Sequence, residues 1–166
     1  MILAFDTYYF EDKAKTVGVS FGNWLDKEPA AIYEETLKGV AAYEPGAFYK
    51  RELPCILSLL EKIPLSIIEM IIIDGYVVLN DEGKLGLGGH LYIELDKTIP
   101  VIGVAKSRFQ ENSQNHKQLL RGKSKSPLYI TAIGVALETA CECVNSMHGD
   151  FRIPTLLKLL DVRTRE

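Results

Sequence analysis

Hydrophobic and polar positions divide the chain into an opening β-rich third and a later part in which strands and helices alternate. Three short β-rich runs open the sequence, at residues 2–5, 16–21 and 31–37. Charged breaks or breaks rich in Gly, Asn and Asp separate them, as is typical of strands joined by turns. This spacing predicts an antiparallel meander.

A helix is expected over about residues 52–62, because apolar residues recur there at helical spacing from Leu53. Pro54 is tolerated in a first turn, which would put Glu52 at the helix entrance.

The nearly continuous apolar run at 67–73, which ends in Asp74-Gly75, is typical of a central parallel strand buried on both faces. Residues 100–104 predict a second such strand and residues 128–130 a weaker third. Residues 135–144 and the segment opened by Pro154 predict helices. Strands and helices in this order favour a mixed-sheet α/β domain.

Composition agrees with one folded domain over residues 1–166. Hydrophobic residues make up 47% and charged residues 25%, which excludes a disordered or fibrous chain. The net charge of −3 excludes a polycation that would bind nucleic acid through bulk electrostatics. No signal peptide or stretch long enough to span a membrane is recognised. The three cysteines form no zinc-site pattern, so a reduced, cytoplasmic protein is expected.

The charge is unevenly distributed. Between Val104 and Ser126 the segment carries a net charge of +5, which leaves −8 for the rest of the chain. Its basic residues are Lys106, Arg108, Lys117, Arg121, Lys123 and Lys125. The pattern predicts a mobile basic loop able to meet phosphate, although a solvated surface loop without a ligand has the same composition.

Carboxylates occupy positions where sites form in α/β sheets. Asp6 ends the first predicted strand, Asp74 ends the buried strand, and Glu52 lies at the mouth of the first helix. If they converge, divalent cations such as Mg²⁺ or Mn²⁺ must offset their repulsion. Taken singly, such a carboxylate is more often a helix cap, a turn residue or a solvated charge.

An ordered series of motifs resembles the endonuclease V family. The matching segments are Asp6, residues 43–54 (YEPGAFYKRELP), residues 72–75 (IIDG), 86–91 (GLGGHL), 100–107 (PVIGVAKS), 137–140 (LETA), 151–154 (FRIP), and Asp161. Endonuclease V is a metal-dependent nuclease of the ribonuclease-H-like fold that acts on nucleic acid containing deaminated adenine. Their order and spacing cover almost the whole chain.

The resemblance implies that Asp6, Glu52, Asp74 and Asp161 bind Mg²⁺ or Mn²⁺. Lys106 matches the family's active-site lysine. Metals in such a site activate a water molecule and stabilise the leaving oxygen, while an ammonium group offsets charge growing on the phosphate. Without the family match, Lys106 could equally be an ordinary surface lysine.

The same resemblance implies a nucleic-acid strand, DNA or RNA, as partner of a protein taken as monomeric. Tyr43 matches the aromatic residue that wedges beside the damaged base, although its pattern alone also fits half-buried packing. The residues expected to contact the strand are Tyr43, Pro45, Gly46, Gly75, Asn80, Lys106, Ser107 and Arg108.

Three departures from the family pattern concern base recognition. Asn80 stands where relatives have a histidine within His-Pro-Arg, residues 131–134 replace Ser-Pro-Gly-His, and Ala42 replaces a proline. Base specificity is therefore open, while the metal site is retained. His90 matches a position with a structural role.

These inferences lead to a ribonuclease-H-like α/β domain with a five-stranded mixed sheet, in which three leading antiparallel strands precede parallel ones and helices cover both faces. The expected activity is Mg²⁺-dependent hydrolysis of phosphodiester bonds at or near inosine-type bases, as in DNA repair. Two alternatives stay open: a nucleic-acid-binding paralogue that does not cleave, and a hydrolase of smaller phosphate esters.

Overall fold

The structure, a computed structural model, describes residues 1–40 and 49–166. A 3-10 turn (Leu65–Ile67) lies between the first helix and the fourth strand. In chain order the strands and helices are β1 (Ile2–Phe10), β2 (Lys13–Phe21), β3 (Ala31–Lys38), α1 (Tyr49–Leu60), β4 (Met70–Asp74), α2 (Leu87–Glu94), β5 (Val101–Ala105), β6 (Lys117–Leu119), β7 (Leu128–Ile133), α3 (Leu137–Ser146) and α4 (Thr155–Thr164).

The strands form one mixed sheet in the order β3-β2-β1-β4-β5-β7-β6. The predicted meander is confirmed, since β2 pairs antiparallel with both β1 and β3. β1, β4 and β5 run parallel as neighbours. The predicted fold class is therefore confirmed, but the count of five strands is wrong, because the described residues form seven. β7 is also antiparallel to β5 rather than parallel.

Two elements escaped the sequence pattern. Strand β6 has only three residues, of which only Leu119 is buried, so it shows no apolar run. Helix α2 carries Gly88 and Gly89 in its first turn, and glycine disfavours helices. Here they allow close packing: a Cβ on Gly88 would lie 2.6 Å from Val77, and one on Gly89 would lie 2.6 Å from the Val77 carbonyl oxygen.

Element boundaries differ from the sequence expectation at three places. β1 and β2 extend to a hairpin at Phe10 and Lys13, because polar and aromatic residues continue the pairing beyond the apolar run. Helix α1 includes Tyr49, so Pro54 lies in its second turn rather than its first. The apolar run before Asp74 is not one strand, since its first residue, Ile67, is 48% exposed in the 3-10 turn.

Helices cover both faces of the sheet, as predicted. Helices α1 and α2 pack on the face that carries Leu3, Phe5 and Ile73. Helices α3 and α4 pack on the other face, which carries Ala4 and Ile72. We call these two sides the α1/α2 face and the α3/α4 face. Nowhere in the described chain is a helix long and apolar enough to cross a bilayer.

Candidate functional site

Three neighbouring parallel strands deliver polar side chains to one point of the sheet. Phe5 pairs with Ile73 and Asp74 pairs with Val104, so Asp6, the first residue of β1 beyond its pairing with β4, lies beside Asp74 at the end of β4. Side chains two positions apart on a strand point to the same face of the sheet. Ala4, Ile72 and Val104 are buried on the α3/α4 face, and the residues two positions after them are Asp6, Asp74 and Lys106. The structure therefore brings these three predicted site residues together.

Helix α4 adds Asp161 to this group. The Lys106 Nζ atom lies 3.5 Å from Asp74 Oδ2 and 3.7 Å from Asp161 Oδ1, so one ammonium group bridges the two carboxylates. Asp161 also pairs with Lys158 at 3.7 Å and accepts a hydrogen bond from the Arg165 guanidinium.

Glu52 approaches the strand ends from the opposite layer. Its helix packs on the α1/α2 face, and the residue is only 3% exposed. Repulsion from Asp6 and Asp74 acts on its carboxylate, so Glu52 belongs to the same electrostatic group.

The electrostatics of the group show an excess of buried negative charge. Burial, and then repulsion from Asp74, raises the pKa of Asp6 to about 7, although the Thr7 amide donates to its carboxylate at 2.9 Å. Burial and the charges of Asp6 and Asp74 raise the pKa of Glu52 well above its usual range. Burial acts the same way on Asp161, but the hydrogen bond from Arg165 and the charge of Lys106 outweigh it and lower the pKa of that carboxyl.

A small cavity of about 30 Å³ separates the carboxylates of the α3/α4 face. Asp6, Asp74, Lys106 and Asp161 all line it, above an apolar floor that includes Leu160. A volume of this size holds a single water-sized or ion-sized occupant. Carboxylate oxygens are the ligands that Mg²⁺ and Mn²⁺ prefer, so the donor set fits a hard divalent cation.

The carboxylates are not, however, already closed around a common point. Within residues 1–40 and 49–166, no group of three or more His, Cys, Asp or Glu side chains is arranged to hold a metal ion. The reason lies in the two layers: Glu52 comes from one face of the sheet and Asp161 from the other, with the Lys106 ammonium against Asp74 and Asp161. To bind one cation, the carboxylates would have to move closer together and the Lys106 ammonium group would have to move away from Asp74 and Asp161.

A larger open cavity, about 540 Å³, adjoins the carboxylates on the β4/β5 side. Among the residues predicted to contact a nucleic-acid strand, Gly75, Lys106, Ser107 and Arg108 line it. Its other walls include the aromatic rings of Tyr49, Tyr76 and Phe109. The cavity therefore combines flat apolar surfaces with cationic groups beside Asp74.

Asn80, another predicted contact with the nucleic-acid strand, is not at this cavity. The Asn80 side-chain oxygen accepts hydrogen bonds from the amides of Glu82 and Lys84, at 3.1 and 2.9 Å, within a tight turn. Tyr43, Pro45 and Gly46 lie outside the described residues.

The expected basic loop is also different in structure. Arg121 is 4% exposed and donates to the carbonyl oxygens of Met147, Gly149 and Phe151. Lys117 lies in β6 and pairs with Glu138 at 3.2 Å. The buried charge of Arg121 therefore holds three backbone carbonyl groups together rather than facing solvent, whereas Lys117 forms an exposed ion pair.

Three positioning residues were missed by the sequence reasoning. The Tyr76 hydroxyl donates to the Ser107 carbonyl oxygen at 2.8 Å and accepts from the Phe109 amide at 3.0 Å, which fixes one cavity wall. The buried Thr131 hydroxyl accepts from the Val77 amide at 2.8 Å, and Arg152 donates to the backbone carbonyl oxygen of Lys106. No local pattern identifies such contacts, because each joins residues far apart in the sequence.

His90 makes a packing contact between two helices. Its ring stacks on that of Tyr49, with centroids 3.6 Å apart. This contact joins the start of α1 to α2 beside the larger cavity.

Solved structures confirm the fold. Endonuclease V of Ciona intestinalis, solved in complex with a 24mer DNA containing an inosine followed by a ribo-adenosine, superimposes with a TM-score of 0.82 at 20% identity, covering 99% of this chain and 83% of that chain. The catalytic domain of human endonuclease V gives 0.76 at 24% identity, covering 99% and 80%.

Sequence comparison identifies the family. Endonuclease V of Nostoc punctiforme is 30% identical over 138 residues, which cover 72% of this chain and 61% of the relative, so the chain spans less than two thirds of that protein. The family model described as Endonuclease V matches residues 1–147, a range that contains Asp6, Glu52, Asp74 and Lys106 but not Asp161. With this match over most of its length, the chain belongs to the endonuclease V family.

Proposed function

We propose that this protein is a divalent-metal-dependent endonuclease that hydrolyses phosphodiester bonds in DNA or RNA at or near deaminated adenine. The observation that carries the proposal is the convergence of Asp6, Asp74 and Asp161 on one cavity of about 30 Å³, with Lys106 beside them. Buried carboxylates whose charges repel one another favour a cation between them.

Each group has a distinct role in this proposal. Asp6, Glu52, Asp74 and Asp161 would hold Mg²⁺ or Mn²⁺, and the metal would supply a more acidic water and stabilisation of the leaving oxygen. Lys106, which is 39% exposed at its side chain, reaches both the carboxylates and the larger cavity, so its ammonium can neutralise charge on the scissile phosphate.

The larger cavity is the proposed binding site of a displaced base. Base-reading enzymes stack an extruded base between aromatic side chains, and Tyr49, Tyr76 and Phe109 line this cavity. The Ciona intestinalis relative was solved with inosine-containing DNA, which supports inosine as the base and repair of deaminated nucleic acid as the process. The free thiols of Cys55, Cys141 and Cys143 suit a reducing compartment such as the cytoplasm.

The test is cleavage of labelled inosine-containing and plain strands with Mg²⁺, with Mn²⁺, and with a chelator. We expect nicking of the inosine strand only in the presence of metal, and its loss in Asp6→Ala plus Asp74→Ala. Metal-independent nicking, or nicking that survives the double substitution, would contradict the proposal.

The substitution Lys106→Gln distinguishes the role of the lysine in cleavage from its effect on metal binding. Without the ammonium beside Asp74 and Asp161, direct titration should show divalent cations binding about tenfold more tightly, since a like charge at this distance opposes the cation. Cleavage should fall about 10²-fold. Lys158→Gln, which removes a more exposed partner of Asp161, is the matched control and should change both quantities much less.

A non-cleaving nucleic-acid-binding protein is the second candidate. It is favoured by the use of the Asn80 side chain within its own turn, away from the cavity. Salt-dependent binding of inosine strands without metal-dependent nicking would support this candidate instead.

A further inference from the structure

Strand β1 continues past Asp6 into a surface that the proposed chemistry does not use. β1 pairs with β4 only as far as Phe5 and Ile73, so its last residues extend beyond the parallel strands and pair with β2 alone. On the α3/α4 face, Tyr8 and Phe10 follow Asp6 at alternate positions and are 39% and 37% exposed. One strand therefore joins a buried carboxylate to two exposed aromatic rings.

Cross-strand pairing surrounds these rings with lysines. Tyr8 lies opposite Lys15, Phe10 lies opposite Lys13, and Lys13 lies opposite Lys38 on β3. Residues directly opposite one another in an antiparallel pair project on the same side of the sheet. We call these five residues the hairpin face.

The hairpin face is basic. Lys15 lies 3.9 Å from the Glu34 carboxylate, whereas no ion pair of Lys13 or Lys38 is found in the described part of the chain. The Arg165 guanidinium lies 5.1 Å over the Tyr8 ring and donates to Asp161, which links the hairpin face to the carboxylate group. Lys13 and Lys38 favour a partner that carries negative charge.

The exposed rings of the hairpin face favour nucleic acid over protein as its partner. The rings of Tyr8 and Phe10 are nearly parallel, at 20°, with centroids 6.4 Å apart. Exposed aromatic rings beside ammonium groups are the surface on which proteins bind single-stranded nucleic acid, because bases stack on the rings and phosphates meet the cations. The core of a protein–protein interface, by contrast, is depleted of lysine.

The hairpin face lies on the opposite side of the carboxylates from the base cavity. Along the sheet, the cavity lies at the ends of β4 and β5 on one side of β1, beside Tyr49 of α1 and Leu87 of α2. Strands β2 and β3 carry the lysines on the other side of β1, on the α3/α4 face, so a bound strand would pass over the strand ends between them. At the ordinary rise of a strand, Tyr8 and Phe10 lie ~7 and ~13 Å beyond Asp6. A strand with one base in the cavity and a phosphodiester at the carboxylates would continue over these rings.

We propose that the hairpin face binds the single-stranded continuation of the substrate, one to a few nucleotides away from the bond that is cleaved. This inference rests on the proposed function, because it takes the carboxylates as the point of cleavage. It assigns a strand-holding role to residues that contribute nothing to metal binding.

The first test measures the affinity for a fluorescein-labelled, single-stranded, inosine-containing oligonucleotide by anisotropy, in chelator so that nothing is cleaved. Tyr8→Ser plus Phe10→Ser should weaken binding about tenfold or more, and Tyr8→Phe plus Phe10→Tyr should restore it. Lys13→Gln plus Lys38→Gln should reduce the salt dependence of binding by about one to two charges.

The matched control lies beyond the other end of β2. Leu25→Ser plus Lys27→Gln removes one exposed apolar group, 66% exposed, and one exposed lysine from the β2–β3 connection. Thermal unfolding confirms that each variant is folded. A loss of binding in this control equal to that of the aromatic variant would contradict a specific role for the hairpin face.

A length series locates the contact. Strands extended on one side or the other of a fixed inosine, from about two to about ten nucleotides, span the site sizes of such surfaces. The wild-type protein should gain affinity with length on one side only, and the aromatic variant should lack that gain. Equal binding by both proteins throughout overturns the inference, even if the inosine strand is nicked.

The experiments distinguish a failure of the proposed function from a failure of this inference. If the wild-type protein nicks no strand, the function fails, while the anisotropy measurements still decide whether the hairpin face binds nucleic acid. If the aromatic variant changes only self-association in sedimentation, the partner is a second copy of the chain and the inference is wrong.

Discussion

At the scale of single residues, Asp6 shows how a site can work against the stability of its own fold. Burial and the neighbouring Asp74 raise the pKa of Asp6 to about 7. Because the folded pKa exceeds the unfolded one, folding favours the protonated form, and this stabilisation is present at low pH and lost as the pH rises from about 4 to about 7. The raised pKa of Glu52 acts in the same direction.

Asp6→Asn should therefore stabilise the metal-free protein at alkaline pH. We expect the difference in unfolding free energy between variant and wild type to grow by about 2 kcal/mol from pH 5 to pH 8, measured by denaturant unfolding in chelator.

Asp81→Asn is a control that should change the free energy of unfolding in the opposite direction. Hydrogen bonds from Ser113 and then from the Gln114 amide lower the pKa of Asp81. That carboxylate therefore stabilises the fold above its unfolded pKa, and its removal should cost stability there. A pH-independent difference for Asp6→Asn would contradict the assigned electrostatics.

Asp6 and Asp74 were predicted because each ends a predicted strand, and Lys106 because it matches a lysine in a family motif. Tyr76, Thr131 and Arg152 could not be found in this way, since their roles depend on hydrogen bonds to residues 25 or more positions away. Asn80 was assigned by alignment with a family motif, but its neighbours form a turn that uses its side chain.

At the scale of elements, the segment that follows β4 is held by its neighbours rather than by its own sequence. The Gly75 amide donates to the Val104 carbonyl oxygen at 3.1 Å, and the Val77 amide donates to the Thr131 hydroxyl at 2.8 Å. The segment leads from Asp74 into the wall of the larger cavity, so β7 helps to set the geometry of a site that it does not line.

Thr131→Val should leave the buried Val77 amide without a partner and lower the unfolding free energy by about 1–3 kcal/mol. Binding of inosine strands should weaken as well, because the cavity wall loses its anchor. Thr131→Ser retains the hydroxyl and serves as the control in denaturant unfolding and anisotropy. If Thr131→Val lost no more stability than Thr131→Ser, the hydroxyl would not be the anchor.

The hydrophobic pattern identified nine of the eleven strands and helices that the structure describes, because each of the nine carries an apolar run or an amphipathic face. It failed for β6 and α2, whose stability comes from packing against residues elsewhere in the chain. It also misplaced Pro54, because contacts of α1 with the sheet outweigh the hydrogen bond that a proline removes from a helix interior.

At the scale of the whole molecule, the net charge of −3 conceals an internal division. Carboxylates concentrate at the strand ends, while cations lie around the larger cavity and on the hairpin face. A cation bound to the carboxylates would therefore stabilise the entire fold by removing repulsion and by mass action.

Saturating Mg²⁺ or Mn²⁺ should raise the midpoint of thermal unfolding by roughly 5–10 °C when the metal is present at about 100 times its dissociation constant. Differential scanning calorimetry with and without chelator measures this shift. It should be larger at pH 8 than at pH 5, because Asp6 is then ionised. An equal shift in Asp6→Ala plus Asp74→Ala would place the cation elsewhere.

The packing of α4 on β1 and β2 has a consequence for the order in which the protein becomes active. This contact joins residues about 150 positions apart, and it delivers Asp161 to Asp74 and Lys106. Contacts between distant parts of a chain are the slowest to form during folding, and synthesis reaches α4 after all of the strands. A nascent chain would thus assemble its sheet before it completes the carboxylate group, and under the proposed function it would cleave nothing until α4 has docked.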